Sequence, residues 1–520
     1  MESEGLKHVF MEILELIRVE DVSSDGRSRF EHLLRALQQV LAGLSDAKRG
    51  VFLDDALAMV LRKTQEHNEL DDLVLTYVHG LIDALALSKN SQGAAIHDSV
   101  LRQQKSLVGC LLSVLGRNPT KFTQTEGDCV QIARAVDAID RCGVPFKHIL
   151  VTARWKQFVH AWMAIVRPDT ADSTNNSSEE DDEADDERDE DELALDLREQ
   201  STSMLWSALP DRFGVKYLNN PSWSDAGIGV VAHWFVTSDA RADVSVTLDV
   251  VSPYAEAFLH HADMPLKLEG LRIVEKLLEK EMPPQQISPL SFEDSDTIVG
   301  VDSYAQYRLE RHFYRSLLQA VMTAMVTFLE PSHRSQALRV WTRLVDAIDP
   351  MCRFVVLSYL ARTCPFPNCV AVVLDRIRSE VSKHWDAYSS SNKLVPFLVE
   401  MLRPLADNDF VQRSDAIVSS LSLVRFVCLR DKSNVTGIHT HAELHRSVQG
   451  QSRRLDDLVD AQVSLEKSRH ESNISSTPHD HNAALDAAPS DRPVEYDLMR
   501  LQIMQAAFRA VLDQFTVENV

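Results

Sequence analysis

The sequence predicts an all-α protein built from stacked helical repeats, and three observations carry this prediction. Apolar residues recur at helical spacing through most of the chain, as in residues 29–44, where residues from Phe30 to Leu41 share one face. Most of these runs end near a proline or a polar cluster, as at Pro331 and Pro350. Glycine is scarce, at 17 of 520 residues, which disfavours folds rich in tight turns. Paired helices with short connections and an irregular period indicate a HEAT-like α-solenoid.

Composition divides the chain into folded segments and two polar ones that lack the apolar content to fold. Residues 242–251 alternate weakly and fit either a strand or a helix. Within the second polar segment, "RRLDDLVDAQVSLEKS" has the pattern of a short helix. The expected parts are an N-terminal helical repeat domain (1–168), an acidic disordered linker or loop (169–200), a C-terminal HEAT-like domain (201–445), a disordered insertion (446–493) and a closing helix packed on the C-terminal domain (494–520).

The closing helix is predicted from one continuous apolar face within residues 495–515. A helix that follows a long loop usually docks on the array as a cap. Its core positions are Leu501, Met504, Phe508, Val511 and Phe515, with Leu498 and Leu512 widening the same face.

The charge of the chain limits its partners. The net charge is −23, and residues 179–192 alone hold twelve acids and one arginine. A surface of this sign repels phosphate groups, which disfavours nucleic acid and anionic lipid as main ligands. The acidic run itself has two interpretations: a long-range attractor for a basic partner, or a solubilising spacer.

The absence of targeting signals predicts a cytoplasmic or nuclear protein, and we expect the chain to be monomeric on its own. No run approaches the roughly 18 apolar residues that a membrane span needs. The first twenty residues are acidic and amphipathic, with no basic region or cleavage site of a signal peptide. The seven scattered cysteines are typical of reduced thiols, and the Asn434 sequon is then not expected to carry a glycan.

Two motifs resemble parts of cofactor or metal sites, but the sequence around each lacks what such a site needs. Gly227, Gly229 and Ala232 match the dinucleotide pattern G-x-G-x-x-A, but a polar turn precedes them where a strand is required. Cys364 and Cys369 resemble half of a zinc site, yet no second close pair follows. We therefore expect no cofactor, and we interpret the two cysteines as thiols that flank a proline-rich turn between helices.

Catalytic signatures are absent from the sequence. It contains no phosphate-binding loop, no H-E-x-x-H and no G-x-S-x-G elbow. The remaining metal candidate is His439, His441 and His445, of which the last two would share a helical face. A metal-dependent enzyme that uses these histidines is one alternative, and a solvated polar loop is the other. The prediction is a non-enzymatic protein without a metal.

Residues 410–438, "FVQRSDAIVSSLSLVRFVCLRDKSNVTGI", predict a helix from Asp415 to Arg430 with Ser414 as its N-cap. Phe426 lies among polar residues on the side opposite the apolar seam. It either packs against the next repeat or serves as an aromatic anchor for a partner. The seam is formed by Ile417, Leu421, Val424 and Cys428, widened by Leu423 and Val427 on one side and by Val418 and Leu429 on the other.

This stretch resembles the C-terminal signature of the glomulin family, which includes the plant aberrant lateral root formation proteins. The shared pattern is an Arg-Ser-Asp start, an "SLSLVRF" helix and an acidic turn that ends in Asn-Val-Thr-Gly. The run "LMRLQIMQAAFRAVLDQF" is similar to the closing helix of the family, and residues 144–166 and 394–405 follow it more loosely. The acidic run and the 446–493 segment have no counterpart in the family.

The resemblance implies a HEAT-like protein that binds the RING-box subunit of cullin–RING (SCF-type) ubiquitin ligases, with the cullin present. In that family the C-terminal half covers the RING surface where a ubiquitin-conjugating enzyme docks, and it inhibits by occupancy. The alternative is a general HEAT-type adaptor or transport scaffold for a different, basic partner. The partner-binding residues that the resemblance implies are Asp415, Ser419, Ser422, Arg425, Phe426, Asn434, Thr436, Arg500 and Gln505.

Overall fold

All regular secondary structure among the described residues is helical, which confirms the all-α prediction. Within the described ranges of the computed structural model, α-helices alternate with short connections and 3₁₀ turns, and no β-strand occurs. The ranges are 2–20, 26–65, 67–85, 98–124, 129–150, 223–238, 246, 248–280, 315–348, 350–391, 393–404, 406–475 and 494–517.

The chain forms two compact units, Met1–Ala347 (unit 1) and Ile348–Val520 (unit 2). This division differs from the predicted domains, which placed an acidic linker between 1–168 and 201–445. The physical reason is that the helix beginning at Asp225 packs against the helix ending at Arg117. Helices from both sides of the acidic run therefore complete one core. Residues 169–200 lie outside the described residues.

Unit 1 begins as a two-layer array of helical repeats. The first helix packs on the second and the third, the second packs on the fourth, and the third packs on the fifth. Stacking of alternate helices in this way buries one continuous core between layers. Its helices are α1 (Glu2–Val19), α2 (Arg27–Gly43), α3 (Asp46–Lys63), α4 (Asp71–Leu85), α5 (Asp98–Arg117), α6 (Pro119–Gln124), α7 (Cys129–Arg141), α8 (Phe146–Leu150), α9 (Asp225–Thr237), α10 (Leu248–His260), α11 (Met264–Lys280), α12 (315–327) and α13 (Pro331–Ala347).

The sequence patterns locate these helices well. The face predicted for residues 29–44 is the buried face of α2, on which Phe30, Leu34, Leu37, Val40 and Leu41 are buried. The ambiguous segment 242–251 is helical from Leu248 onwards.

The glycines of the dinucleotide-like motif are explained by helix packing. Both lie in α9, whose N-cap Ser224 accepts a hydrogen bond from the Gly227 amide at 3.2 Å. A Cβ atom at Gly227 would lie 1.9 Å from the carbonyl oxygen of Leu112 in α5. A Cβ atom at Gly229 would lie 2.8 Å from the Phe258 ring in α10. The motif therefore allows α9 to approach two neighbouring helices closely.

Unit 2 is organised around one central helix, Ser414–Arg430, against which four other helices pack. Its connections that the structure describes, from Pro350 to Ser475, are short. Its helices are α14 (Pro350–Thr363), α15 (Pro367–Lys383), α16 (Trp385–Ser389), α17 (Leu394–Met401), α18 (Asp407–Gln412), α19 (Ser414–Arg430), α20 (Ala442–Ser475) and α21 (Val494–Val517).

The predicted disordered insertion is wrong for residues 446–475, which belong to α20. A narrow stripe of Leu444, Val448, Leu455 and Val459 is buried at helical spacing in this polar sequence. The side chain of Gln451 donates a 2.6 Å hydrogen bond to the Leu402 carbonyl. The segment is polar on average, so its composition did not reveal these few apolar residues at helical spacing. Residues 476–493 lie outside the described residues.

We predict that Gly227→Ala destabilises unit 1 by about 3 kcal/mol or more, because backbone atoms must move to admit the new methyl group. Thermal unfolding followed by far-UV circular dichroism measures the change. Gly450→Ala is the matched control, since a Cβ atom there meets nothing within 4 Å. It should stabilise α20 by about 0.5–1 kcal/mol. Equal melting temperatures for the two variants would contradict the packing role of Gly227.

Candidate functional site

The candidate site is built on α19, which starts at Ser414 and ends at Arg430. Ser414 was predicted as the N-cap, but it is the first helical residue and is buried. Arg413 occupies the cap position without a side-chain capping bond, because α18 ends only one residue earlier. The Ile417 amide donates to the Arg413 carbonyl at 2.9 Å, which begins the helix directly from the preceding turn. Asp415 lies in the first turn, where its negative charge interacts favourably with the positive end of the helix dipole.

The apolar side of α19 follows the prediction on one edge and differs on the other. The seam residues Ile417, Leu421, Val424 and Cys428 are buried, as are Leu423 and Val427. Val418 is only half-buried, and Leu429 is 51% exposed. The seam is therefore widened on one side alone.

We name the accessible side of this helix the α19 outer face. Arg425, Leu429, Arg430 and Asp415 are exposed, and the serines and Phe426 are half-buried. Two arginines and one aspartate make the face locally cationic, in contrast to the net charge of the chain. It consists of Asp415, Ser419, Ser422, Arg425, Phe426, Leu429 and Arg430.

An aromatic stack lies at the edge of the α19 outer face. The Phe426 ring meets the ring of Trp385 edge to face, with centroids 6.3 Å apart. The Arg430 guanidinium lies over the same indole, 5.4 Å from its centroid. Such edge-to-face and cation–π arrangements are favourable. Phe426 therefore contacts a neighbouring helix and still keeps part of its surface accessible.

Trp385 is the residue of this site that the sequence analysis missed. It is half-buried at the start of α16, directly after α15. The last turn of α15 is fixed by the buried Glu380, whose carboxylate lies 2.7 Å from Arg376 and 3.1 Å from Arg353. A tryptophan in a short polar connection was the available signal, but the sequence did not reveal its contact with α19.

The turn after α19 is held together by the carboxylate of Asp431, which is 2% exposed. Its oxygens accept hydrogen bonds from the amides of Val435 and Thr436, both at 2.8 Å, and from the Thr436 hydroxyl. Asn434 adopts a positive φ of 54°, and its side-chain oxygen accepts from the His439 amide at 3.1 Å. The polar groups of Asn434 and Thr436 are thus engaged within the turn.

Arg500 and Gln505, the two candidates from the closing helix, also make contacts within unit 2. Arg500 donates to the Val411 carbonyl at 3.5 Å, which links α21 to α18. Gln505 donates to the Asp456 carboxylate at 2.5 Å, which links α21 to α20. The predicted core of this helix is confirmed, because Leu501, Met504, Phe508, Val511 and Phe515 are all buried. Leu498 and Leu512 are half-buried.

The three histidines that suggested a metal each have another contact. His439 pairs through Nε2 with the Asp431 carbonyl at 3.1 Å. His441 precedes α20, and its Nδ1 accepts from the Leu444 amide at 3.3 Å, so it caps that helix. His445 stacks on Phe515 with centroids 3.8 Å apart, and burial lowers its pKa. Among the residues that the structure describes, no group of three or more His, Cys, Asp or Glu side chains is placed to hold a metal ion.

Comparison with known proteins gives one distant relative by sequence. Mouse (Mus musculus) glomulin is 22% identical over 204 residues. The match covers 38% of this chain and 31% of glomulin. It supports a distant glomulin-like relationship and, with the helical repeat fold, favours a non-enzymatic scaffold. No family model matches the chain.

Comparison with solved structures gives a match at low similarity. A circular tandem repeat protein with novel repeat topology and enhanced subunit contact surfaces aligns with 100% of this chain and 99% of its own length. The identity is 12% and the TM-score is 0.23. In the described ranges, no helix is both long enough and apolar enough to cross a membrane.

We predict that Asp431→Ala destabilises unit 2 by about 2–4 kcal/mol, because it removes a buried acceptor of several charge-assisted hydrogen bonds. Chemical denaturation followed by circular dichroism measures the change. Asp457→Ala is the matched control, since Asp457 is an exposed acid on α20; it should stay within about 0.5 kcal/mol of the wild type. A loss for Asp431→Ala as small as that of the control would show that the turn does not depend on this carboxylate.

Proposed function

We propose that this chain is a non-enzymatic regulator of cullin–RING ubiquitin ligases. In this proposal, unit 2 binds the RING-box subunit and covers the surface on which a ubiquitin-conjugating enzyme docks. The observation that carries the proposal is the position of the glomulin-like residues Asp415, Ser419, Ser422 and Arg425. They all lie on the accessible side of one helix whose opposite side is buried. The distant similarity to glomulin supports the same function.

The chemistry of the α19 outer face suits protein recognition. Tryptophan and arginine are enriched among the residues that dominate binding energy, and aromatic residues generally are enriched at interfaces. The Trp385–Phe426–Arg430 stack holds two aromatic rings and a guanidinium in place before a partner arrives. Such preorganisation reduces the side-chain entropy that is lost on binding.

The electrostatics of this face define the complementary surface on the partner. The two arginines and single aspartate favour neutral or acidic groups opposite α19. The overall negative charge of the chain is therefore a poor guide to the contact itself. A standard interface needs roughly 800 Å² from each protein, more than one helix face supplies. The turn after α19 and the start of α16 are neighbouring surfaces that can extend it.

The proposed mechanism requires occupancy alone. A bound protein that covers the enzyme-docking surface of a RING domain prevents ubiquitin transfer without chemical catalysis. The buried core on the other side of α19 gives the face a fixed shape. Inhibition should therefore follow the fraction of RING-box subunit bound.

We predict that the full-length protein suppresses ubiquitin transfer by a reconstituted, neddylated cullin–RING ligase. Charging of the ubiquitin-conjugating enzyme by the activating enzyme should be unchanged, because that reaction does not involve the RING surface. A substrate-ubiquitination assay and a thioester-charging assay, run with the same proteins, measure the two steps. Undiminished transfer at saturating protein would end the proposal.

We predict that Arg425→Glu weakens binding to the isolated RING-box subunit by about tenfold or more, because it reverses an exposed charge at the centre of the contact. Binding is measured by interferometry or calorimetry, with melting temperatures to verify folding. Arg453→Glu, an exposed arginine on α20, is the matched control and should bind as the wild type does. Equal affinities for the two variants would show that the RING-box subunit does not bind at the α19 outer face.

A second candidate is an adaptor or transport scaffold for a basic partner. The acidic run 179–192 favours it, with twelve acids in fourteen residues. Deletion of that run distinguishes the candidates: it should abolish binding of a basic partner and leave RING-box binding by the α19 outer face intact.

A further inference from the structure

The connection between α14 and α15 brings two thiols together. Cys364 directly follows the last residue of α14 and is half-buried. Cys369 lies in the first turn of α15, which begins at Pro367, and it is buried. The two side chains lie in hydrogen-bonding contact, and neither is in a disulfide.

The backbone on both sides of this pair is anchored. The Cys364 amide donates to the Leu360 carbonyl at 2.9 Å, and the Val370 amide donates to the Phe366 carbonyl at 3.0 Å. The proline ring at Pro367 fixes its own φ angle. A short, constrained segment therefore connects the two thiols, whose side chains already contact each other.

We propose that Cys364 and Cys369 form a redox-active dithiol that low-molecular-weight disulfides, such as glutathione disulfide, convert to an intramolecular disulfide. This property is independent of ubiquitin ligase binding. A redox role for the Cys-Pro-Phe-Pro-Asn-Cys motif differs from both earlier interpretations, a zinc site and a simple turn between helices.

The environments of the two sulfurs assign their roles. The Cys364 thiol donates to the Phe366 carbonyl at 3.6 Å. Its hydrogen bond with the Cys369 side chain lowers the pKa of Cys364 to about 7. The same bond and burial raise the pKa of Cys369. Cys364 is also the more accessible of the two. Because the thiolate is the nucleophile in exchange, Cys364 attacks first and Cys369 resolves.

The exchange balances with glutathione disulfide as the oxidant. The Cys364 thiolate attacks one sulfur of glutathione disulfide, forms a mixed disulfide and releases one glutathione thiolate. Cys369 then loses its proton and attacks the Cys364 sulfur, which releases the second glutathione thiolate. The two protein thiols are oxidised to one disulfide, and one glutathione disulfide is reduced to two thiols.

The same protein contains internal controls. Cys110 in α5 and Cys142, just after α7, are buried, and burial raises the pKa of each thiol to about 12. Thiols of this kind react slowly with disulfides. They should remain reduced in the folded chain under conditions that oxidise the Cys364–Cys369 pair.

The test uses the full-length protein, first reduced and then incubated with glutathione buffers of defined ratio. After acid quenching, alkylation in denaturant and trypsin digestion, mass spectrometry follows the peptide 363–376, whose only cysteines are the proposed pair. We expect this peptide to lose two hydrogens and escape alkylation as glutathione disulfide increases, while Cys110 and Cys142 are alkylated throughout. A thiol reductant should reverse the change.

Two variants test the order of attack. Cys369→Ser should accumulate a glutathione mixed disulfide on Cys364, because the resolving thiol is missing. Cys364→Ser should leave Cys369 unmodified. The proposal is overturned if the wild-type peptide stays in the dithiol form in glutathione disulfide alone. It is also overturned if Cys369 forms the mixed disulfide in Cys364→Ser as fast as Cys364 does in Cys369→Ser.

Discussion

Burial of the apolar side of α19 is the interaction on which the rest of unit 2 depends. The helix packs against α15, α17, α18 and α21, and its apolar seam has almost no remaining exposure. A helix surrounded on one side by four others has a fixed rotation about its axis, since a turn of one residue would expose core side chains and bury charged ones. The composition of the α19 outer face is thus a consequence of the packing behind it.

Helical periodicity predicted those parts of the molecule that depend on one helix at a time. The buried residues of the closing helix and the seam of α19 were predicted from spacing alone, because position on a helix decides which side chains can meet a core. The exposure of Leu429 was not predictable in this way. Leu429 has the chemistry of a core residue, but among the described residues no helix covers that edge of α19.

Contacts between elements were beyond the reach of the sequence. Trp385 is distant from Phe426 along the chain, and only the packing of α15 on α19 brings the rings together. For α20, the polar composition led to a wrong prediction of disorder. A narrow apolar stripe is enough to stabilise a helix when neighbouring helices supply the surface that it packs against. The packing role of the two glycines in α9 also became apparent only from their close contacts with α5 and α10.

The stretch that carries the glomulin resemblance contains two kinds of residue. Asn434 and Thr436 engage the turn closed by Asp431, and they act on the end of α19. Asp415 and Arg425 project from the opposite side of the helix to the core and are exposed. A distant relative can therefore share the turn because it shares the fold, whether or not it shares a partner. Under the proposed function, the residues of the α19 outer face contact the partner, so their side chains decide which protein this surface recognises.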